Sequence, residues 1–393
     1  MRRQRCRPRA EEQLILLSAG TAACRQTALA QVDELGTVVD WSLVADLLRK
    51  RRLLPLLGPR LVELAGARAG DEFAVGVTHA LDTGHRQGLF LQTIADGVMA
   101  ALADAGICCT SLKGPTMSES LYGDPGRRPS SDIDLLVARE RLHDAVAVVR
   151  ELGYRAPTDH IDECGLPLLH FTLIHERDQL PPVELHWRIH WYERSFAGER
   201  LLAHSGELTG AWRPAPIDEL TALLLFYARD GFIDLRLATD LGACWDAFRA
   251  RLEPGALDES IRMYPALEHV LLVAVRVADR TVGLPMGQLT ERTARLSGRS
   301  RIAVRLAAPY LRASQPQLNA DMGLIDGLLA PPGGFKAFVR RQVIPPREVL
   351  HEHAQRAQRQ RAGSTVGHSV RVLGRYGLAM ARLLRAPESI RLR

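Results

Sequence analysis

Residues 112–137 read Leu112-Lys113-Gly114-Pro115-Thr116-Met117-Ser118-Glu119-Ser120-Leu121-Tyr122-Gly123-Asp124-Pro125-Gly126-Arg127-Arg128-Pro129-Ser130-Ser131-Asp132-Ile133-Asp134-Leu135-Leu136-Val137. The end of this stretch alternates acidic and apolar residues. On a strand, residues i and i+2 share a face. Asp132 and Asp134 therefore present two carboxylates together, while Ile133 and Leu135 turn into a core. Two close like charges resist joint ionisation unless a cation sits between them. Hard oxygen donors of this kind suit Mg²⁺ or Mn²⁺. Upstream, Ile107–Leu112 is a short apolar run that ends at Lys113-Gly114-Pro115 and reads as a strand meeting a turn. Pro115 fits the first turn of a helix over 116–122. Glycine at 114 lets backbone approach phosphate oxygens, and the helix start favours anions. Arg127 and Arg128 are expected to fork onto phosphates, with Ser130 and Ser131 as further hydrogen-bond donors.

The pattern extends on both sides. Glu140–Leu152 has helical spacing and stops at Gly153. Leu169–His175 and Val183–Trp187 are two more strands, joined through Leu180-Pro181-Pro182. Glu184 lies in the second of them. If that strand neighbours 132–137, three carboxylates converge, the ligand set of two-metal phosphoryl or nucleotidyl transfer. On a strand, His186 shares the face of Glu184 and approaches the metal or phosphates. Were 185–191 helical, His186 and His190 would pair instead, as zinc ligands can.

The 393 residues predict two or three domains. Apolar residues make up 46%, charged residues 24% and aromatics 5%, so the core must rest on Leu, Val and Ala, which favours helices. The spacing predicts an N-terminal helical region (1–105), an α/β core (106–195), a helical domain (196–335) and a basic C-terminal region (336–393). The last carries 13 basic and 3 acidic residues, a balance of +10 against +6 for the whole chain. A flexible segment is expected at His353–Gly363 and an amphipathic helix at Val370–Leu384. The body of the chain is not basic and the tail lacks interleaved aromatics, so nucleic-acid binding is not expected.

Several classes are excluded. No Gly-Lys dipeptide and no Gly-x-Gly occurs, which removes the Walker P-loop and the dinucleotide fingerprint. The six cysteines form no Cys-x-x-Cys pair, so neither a zinc ribbon nor a disulfide framework is expected. No apolar run is long enough to span a bilayer. The basic start at Arg2, Arg3 and Arg5 is broken by Glu11 and Glu12, so it does not read as a signal peptide. These features predict a cytoplasmic protein. Only three lysines occur, Lys50, Lys113 and Lys336. In a chain that uses Arg for generic positive charge, each of the three is notable.

The stretches Leu112–Thr116, Leu121–Val137 and Val183–Trp187 together resemble the uncharacterised nucleotidyltransferase family of bacteria, within the polymerase-beta-like nucleotidyltransferase superfamily. Gly114 matches its turn, Asp132 and Asp134 its acidic strand, and Glu184 its later acidic residue. The resemblance implies an α+β fold, with a small mixed-sheet nucleotidyltransferase core flanked by N- and C-terminal helical segments. It implies Mg²⁺ or Mn²⁺ held by Asp132, Asp134 and Glu184. The NTP, ATP first, would be bound through Lys113, Gly114, Arg127, Arg128, Ser130, Ser131 and His186. The acceptor would be a hydroxyl of a peptide, small molecule or protein. Two departures stand out. Pro115 replaces a usual Ser, and Ala228 and Phe232 stand where histidines are common. Asp240 is retained and is expected to pair with an arginine. Two other readings use the same residues: phosphoryl transfer at the same metals, and a non-catalytic module that binds a peptide or partner.

Overall fold

Four short β-rich segments form one sheet: β1 (Cys109–Ser111), β2 (Ile133–Val137), β3 (His170–Leu173) and β4 (Val183–His186). The strand order is β1-β2-β4-β3. β2 runs antiparallel to β1 and parallel to β4, and β3 runs antiparallel to β4. The sheet is therefore mixed, with β2 and β4 in its centre. The computed structural model describes residues 9–385, apart from 163, 178, 204–213, 254, 308–310, 312–314, 332–333, 346–349 and 351–364. The segment His353–Gly363 lies outside the described residues.

The two faces of the sheet belong to different cores. Ile133, Leu135, Val137, Phe171, Leu173, Val183 and Leu185 pack with Leu91, Val98 and Leu102 of the helix Asp71–Asp104 and with Leu142, Ala145 and Val149 of the helix Leu142–Glu151. Leu136, on the other face, joins a second core with Leu112, Met117 and the helical part of the chain. Alternation along β2 thus sends its odd-numbered residues to one core and its even-numbered ones to the other. The fold is α+β, a small mixed sheet flanked by helices.

The helical part facing Asp134 is built from Pro216–Arg229, Leu235–Phe248 and Pro265–Val282. The first two are separated by Gly231 and Phe232, both with positive φ (64° and 60°). That left-handed pair ends one helix. Asp234 then caps the next through Arg236 N–H at 2.8 Å. This short break places Arg229 and Arg236 at adjoining helix ends.

The link from Gly123 to Ser131 is anchored at several points. A Cβ on Gly84 of the long helix would lie 2.7 Å from the Gly126 carbonyl oxygen, so helix and loop touch through bare backbone. Asp124 accepts from Gly126 N–H at 2.7 Å and meets His85 Nδ1 at 2.7 Å. Ser118 donates to the Asp124 carbonyl at 2.7 Å and accepts from Arg128 N–H at 2.9 Å. The basic helix at the far end spans Thr365–Arg385. Among the described residues, no helix is long and apolar enough to cross a membrane.

Candidate active site

The register of β2 and β4 decides the site. Asp134 is the partner of Glu184 and Leu136 the partner of His186. Asp132 lies just ahead of β2, on the same side. Ligand oxygens of Asp132, Asp134 and Glu184 fall within 4.8 Å of one another. The three carboxylates that the sequence sets apart by up to 52 positions meet at one edge of the parallel pair.

Cations balance them unequally. Lys113 Nζ is 3.2 Å from Asp134 Oδ1, and His186 Nε2 is 3.1 Å from the same oxygen. Burial opposes ionisation of Asp134, but Lys113 and His186 hold its carboxyl well below the usual range. Lys113 and Arg236 also act on Asp132, but burial and the Asp134 charge outweigh them and push it up. Burial also raises Glu184, yet the hydrogen bond from His186 and the nearby His170 outweigh this, and it titrates below its ordinary value. His186 is fully buried, but Asp134 and Glu184 more than offset that cost and raise it. His170 is pushed down to about 3 by burial and by His186.

Gly114 has φ 85°, a conformation that favours glycine, and a Cβ there would meet no atom within 4 Å. Open space therefore adjoins the turn beside Lys113. Lys113 Nζ also sits 4.6 Å from the Phe226 ring centre, and the Arg229 guanidinium lies 4.7 Å from the same centre. Both cations lie against this ring, and both act on Asp134.

Arg128, expected to fork onto phosphates, has partners within the protein. It is buried, its Nε donates to Asp240 Oδ2 at 2.6 Å, and its Nη1 donates to Ser130 Oγ at 3.1 Å. Asp240 also accepts from Tyr122 O–H at 2.8 Å. The expected arginine partner of Asp240 is thus Arg128 itself, and Ser130 is bonded to that arginine. Arg127 feels Tyr122, Asp124 and Glu63, and burial lowers its pKa. Ser131 is exposed. The cations that face the acidic edge from the helical part are instead Arg229, which acts on Asp134, and Arg236, which acts on Asp132. Arg229 Nη1 and Arg236 Nε are buried with no hydrogen-bond partner.

His170 is the other residue that the sequence reading did not single out. It pairs with His186 across β3 and β4. The partner of His186 is therefore His170, whereas His190 accepts from Tyr192 N–H at 3.2 Å and joins neither ligand group. The 125–130 loop also borders a cleft of about 850 Å³, lined in part by Arg49, Arg52, His79, Gln87, Arg128 and Ser130.

A mixed sheet with two carboxylates on one strand, a third on its parallel neighbour and a strand–Gly–helix turn alongside defines a nucleotidyltransferase-type core. The chain belongs to the uncharacterised nucleotidyltransferase family, whose model matches residues 37–283. No curated protein and no solved structure matches it.

Proposed function

We propose that this chain moves a nucleoside monophosphate from an NTP, ATP first, to an acceptor hydroxyl and releases pyrophosphate. The observation that carries the reading is the meeting of Asp132, Asp134 and Glu184 beside Lys113 and the open Gly114 turn. The donor set suits a hard divalent cation, Mg²⁺ or Mn²⁺. Asp132, raised by burial and by Asp134, is the group that such a cation would relieve most. When bound, such ions neutralise phosphate charge and lower the pKa of an attacking hydroxyl.

The chain's own residues have separable tasks. Asp132, Asp134 and Glu184 would hold the cations. Lys113 and Arg229 bring positive charge to the Asp134 side, and Arg236 brings it to the Asp132 side, which suits a triphosphate. Gly114 keeps the backbone clear for phosphate oxygens. The acceptor oxygen attacks the α-phosphorus, the bond to the β-phosphate bridging oxygen breaks, and the acceptor proton passes to Glu184 or solvent. The cleft beside Ser130 has room for an acceptor of small-molecule or peptide size.

The test uses ATP labelled at either the α or the γ position, with candidate acceptors and Mg²⁺. Transfer of the α label with release of pyrophosphate supports the reading. Transfer of the γ label with release of ADP overturns it in favour of phosphoryl transfer. Calorimetric titration of each NTP with Mg²⁺ should show binding that Asp132→Asn abolishes. A folded wild type that binds no NTP points to a partner-binding module instead.

A further inference from the structure

The β3–β4 ladder carries a second convergence. His170 and His186 are register partners, and Glu184 precedes His186 by two residues on the same face. His186 Nε2 lies 3.3 Å and His170 Nε2 3.5 Å from one and the same oxygen, Glu184 Oε2. Ligand atoms of all three fall within 4.8 Å of one another. The rings are 4.4 Å apart between centres. Both Nδ1 atoms are buried without a hydrogen-bond partner, so each ring engages the cluster through Nε2.

These separations are informative. An N–O distance of 3.5 Å is long for a hydrogen bond. Bonds of about 2.0–2.1 Å around a tetrahedral ion put neighbouring ligand atoms about 3.3–3.4 Å apart. Both N–O distances fall beside that edge length. The donor chemistry differs from that of the three carboxylates. Imidazole suits zinc and its first-row neighbours, whereas Mg²⁺ takes oxygen. The nearest further donor is Asp134 Oδ1, 3.1 Å from His186 Nε2.

We propose that His170, Glu184 and His186 form a transition-metal site of the zinc type, separate from the Asp132–Asp134–Glu184 group and sharing only Glu184 with it. A histidine-poor carboxylate centre and a histidine-rich one then lie side by side on one sheet face. The second centre does not depend on nucleotide transfer, and the two readings fail separately.

The experiment uses metal-free, full-length protein titrated with Co²⁺ and followed by visible absorption. Wild type, His170→Gln, His170→Ala and Asp132→Asn are compared. The wild type should bind Co²⁺ with the intense bands of a low-coordinate ion. The His170 variants should bind at least about tenfold more weakly, the loss seen even when a group that only orients a ligand is removed. X-ray absorption of the wild-type complex should show imidazole scattering. An all-oxygen shell there overturns the site whether or not a variant folds. So does unchanged Co²⁺ affinity in folded His170→Gln, or a Co²⁺ site lost in Asp132→Asn but kept in His170→Gln. Mg²⁺–ATP titration runs in parallel. Imidazole-bound Co²⁺ without ATP binding leaves this site standing and removes the nucleotide reading, and the reverse result removes this site alone.

Discussion

Arg128 Nε donates to Asp240 Oδ2 at 2.6 Å, and the two side chains are only 3% and 0% exposed. The pair joins the loop that leads into β2 to the helix Leu235–Phe248. Removing one partner leaves a charge buried alone, which costs ~3–5 kcal/mol. Asp240→Asn and Arg128→Met should each lower the unfolding free energy by an amount of that size, seen as a lower urea midpoint at unchanged slope. The Arg128→Met/Asp240→Leu double variant should recover part of the loss. Urea midpoints of singles that match wild type would show that the pair is not what fixes the loop.

Asp132 and Asp134 should respond differently to the same substitution. Asp134 balances Lys113 and His186, so Asp134→Asn leaves two cationic partners without their anion and should cost ~3 kcal/mol in metal-free protein. Asp132 is already pushed toward its neutral form, so Asp132→Asn should change metal-free stability little. On the proposed function Mg²⁺ should stabilise the wild type but neither variant. Thermal melts with and without Mg²⁺ separate the two effects. Equal destabilisation by both variants would contradict the charge assignment.

Glu193 sets a pH dependence away from the acidic edge. Its carboxylate accepts from Ile189 N–H, from His190 N–H at 3.3 Å and from Ala197 N–H at 3.0 Å. Burial nevertheless pushes its pKa up to about 7. The folded chain therefore holds this proton more tightly than the unfolded chain. The stability it contributes is full below about pH 4.3. It falls as pH rises to about 7. Across that window the loss amounts to ~4 kcal/mol. Urea unfolding of wild type and Glu193→Gln from pH 4 to 8 should show this slope in the difference between them. Parallel curves would mean that folding leaves the Glu193 pKa at its unfolded value.

Gly126→Ala should be costly because its new Cβ would run into the Gly84 carbonyl of the long helix. Backbone stands on both sides, so no side chain can swing away. The expected loss is ~3 kcal/mol. The loop holding Arg128 would shift with it, and NTP binding should weaken in the protein that remains folded. Gly97→Ala is the control, since nothing lies within 4 Å of a Cβ there. It should be neutral or slightly stabilising, as alanine favours helix.

The acidic residues were legible because strands have a period of two and few other segments of this chain pair acids with β-rich runs. Asp132, Asp134 and Glu184 need only short-range pattern plus one assumption, that β2 and β4 are neighbours. The β2–β4 pairing supplies that. His170 was not legible in this way. Its place depends on the β3–β4 register, which a hairpin with Pro181 and Pro182 in its connection does not announce. That Arg128 is the arginine paired with Asp240 was not legible, because 112 residues separate the two. Arg229 and Arg236 were hidden for a related reason. Only the left-handed Gly231-Phe232 break turns both toward the sheet, and positive φ at a phenylalanine is not something residue type foretells.

β2 hands Leu136 to one core and Ile133, Leu135 and Val137 to the other. Neither half of the molecule can loosen without pulling on this strand, which is also paired on both edges. Its amide protons should exchange with solvent only when the whole chain opens, while the exposed ends of the surrounding helices exchange through local fraying. The carboxylate of Asp134 thus rides on a slow-exchanging rib, and a ligand that grips it would tighten both cores at once.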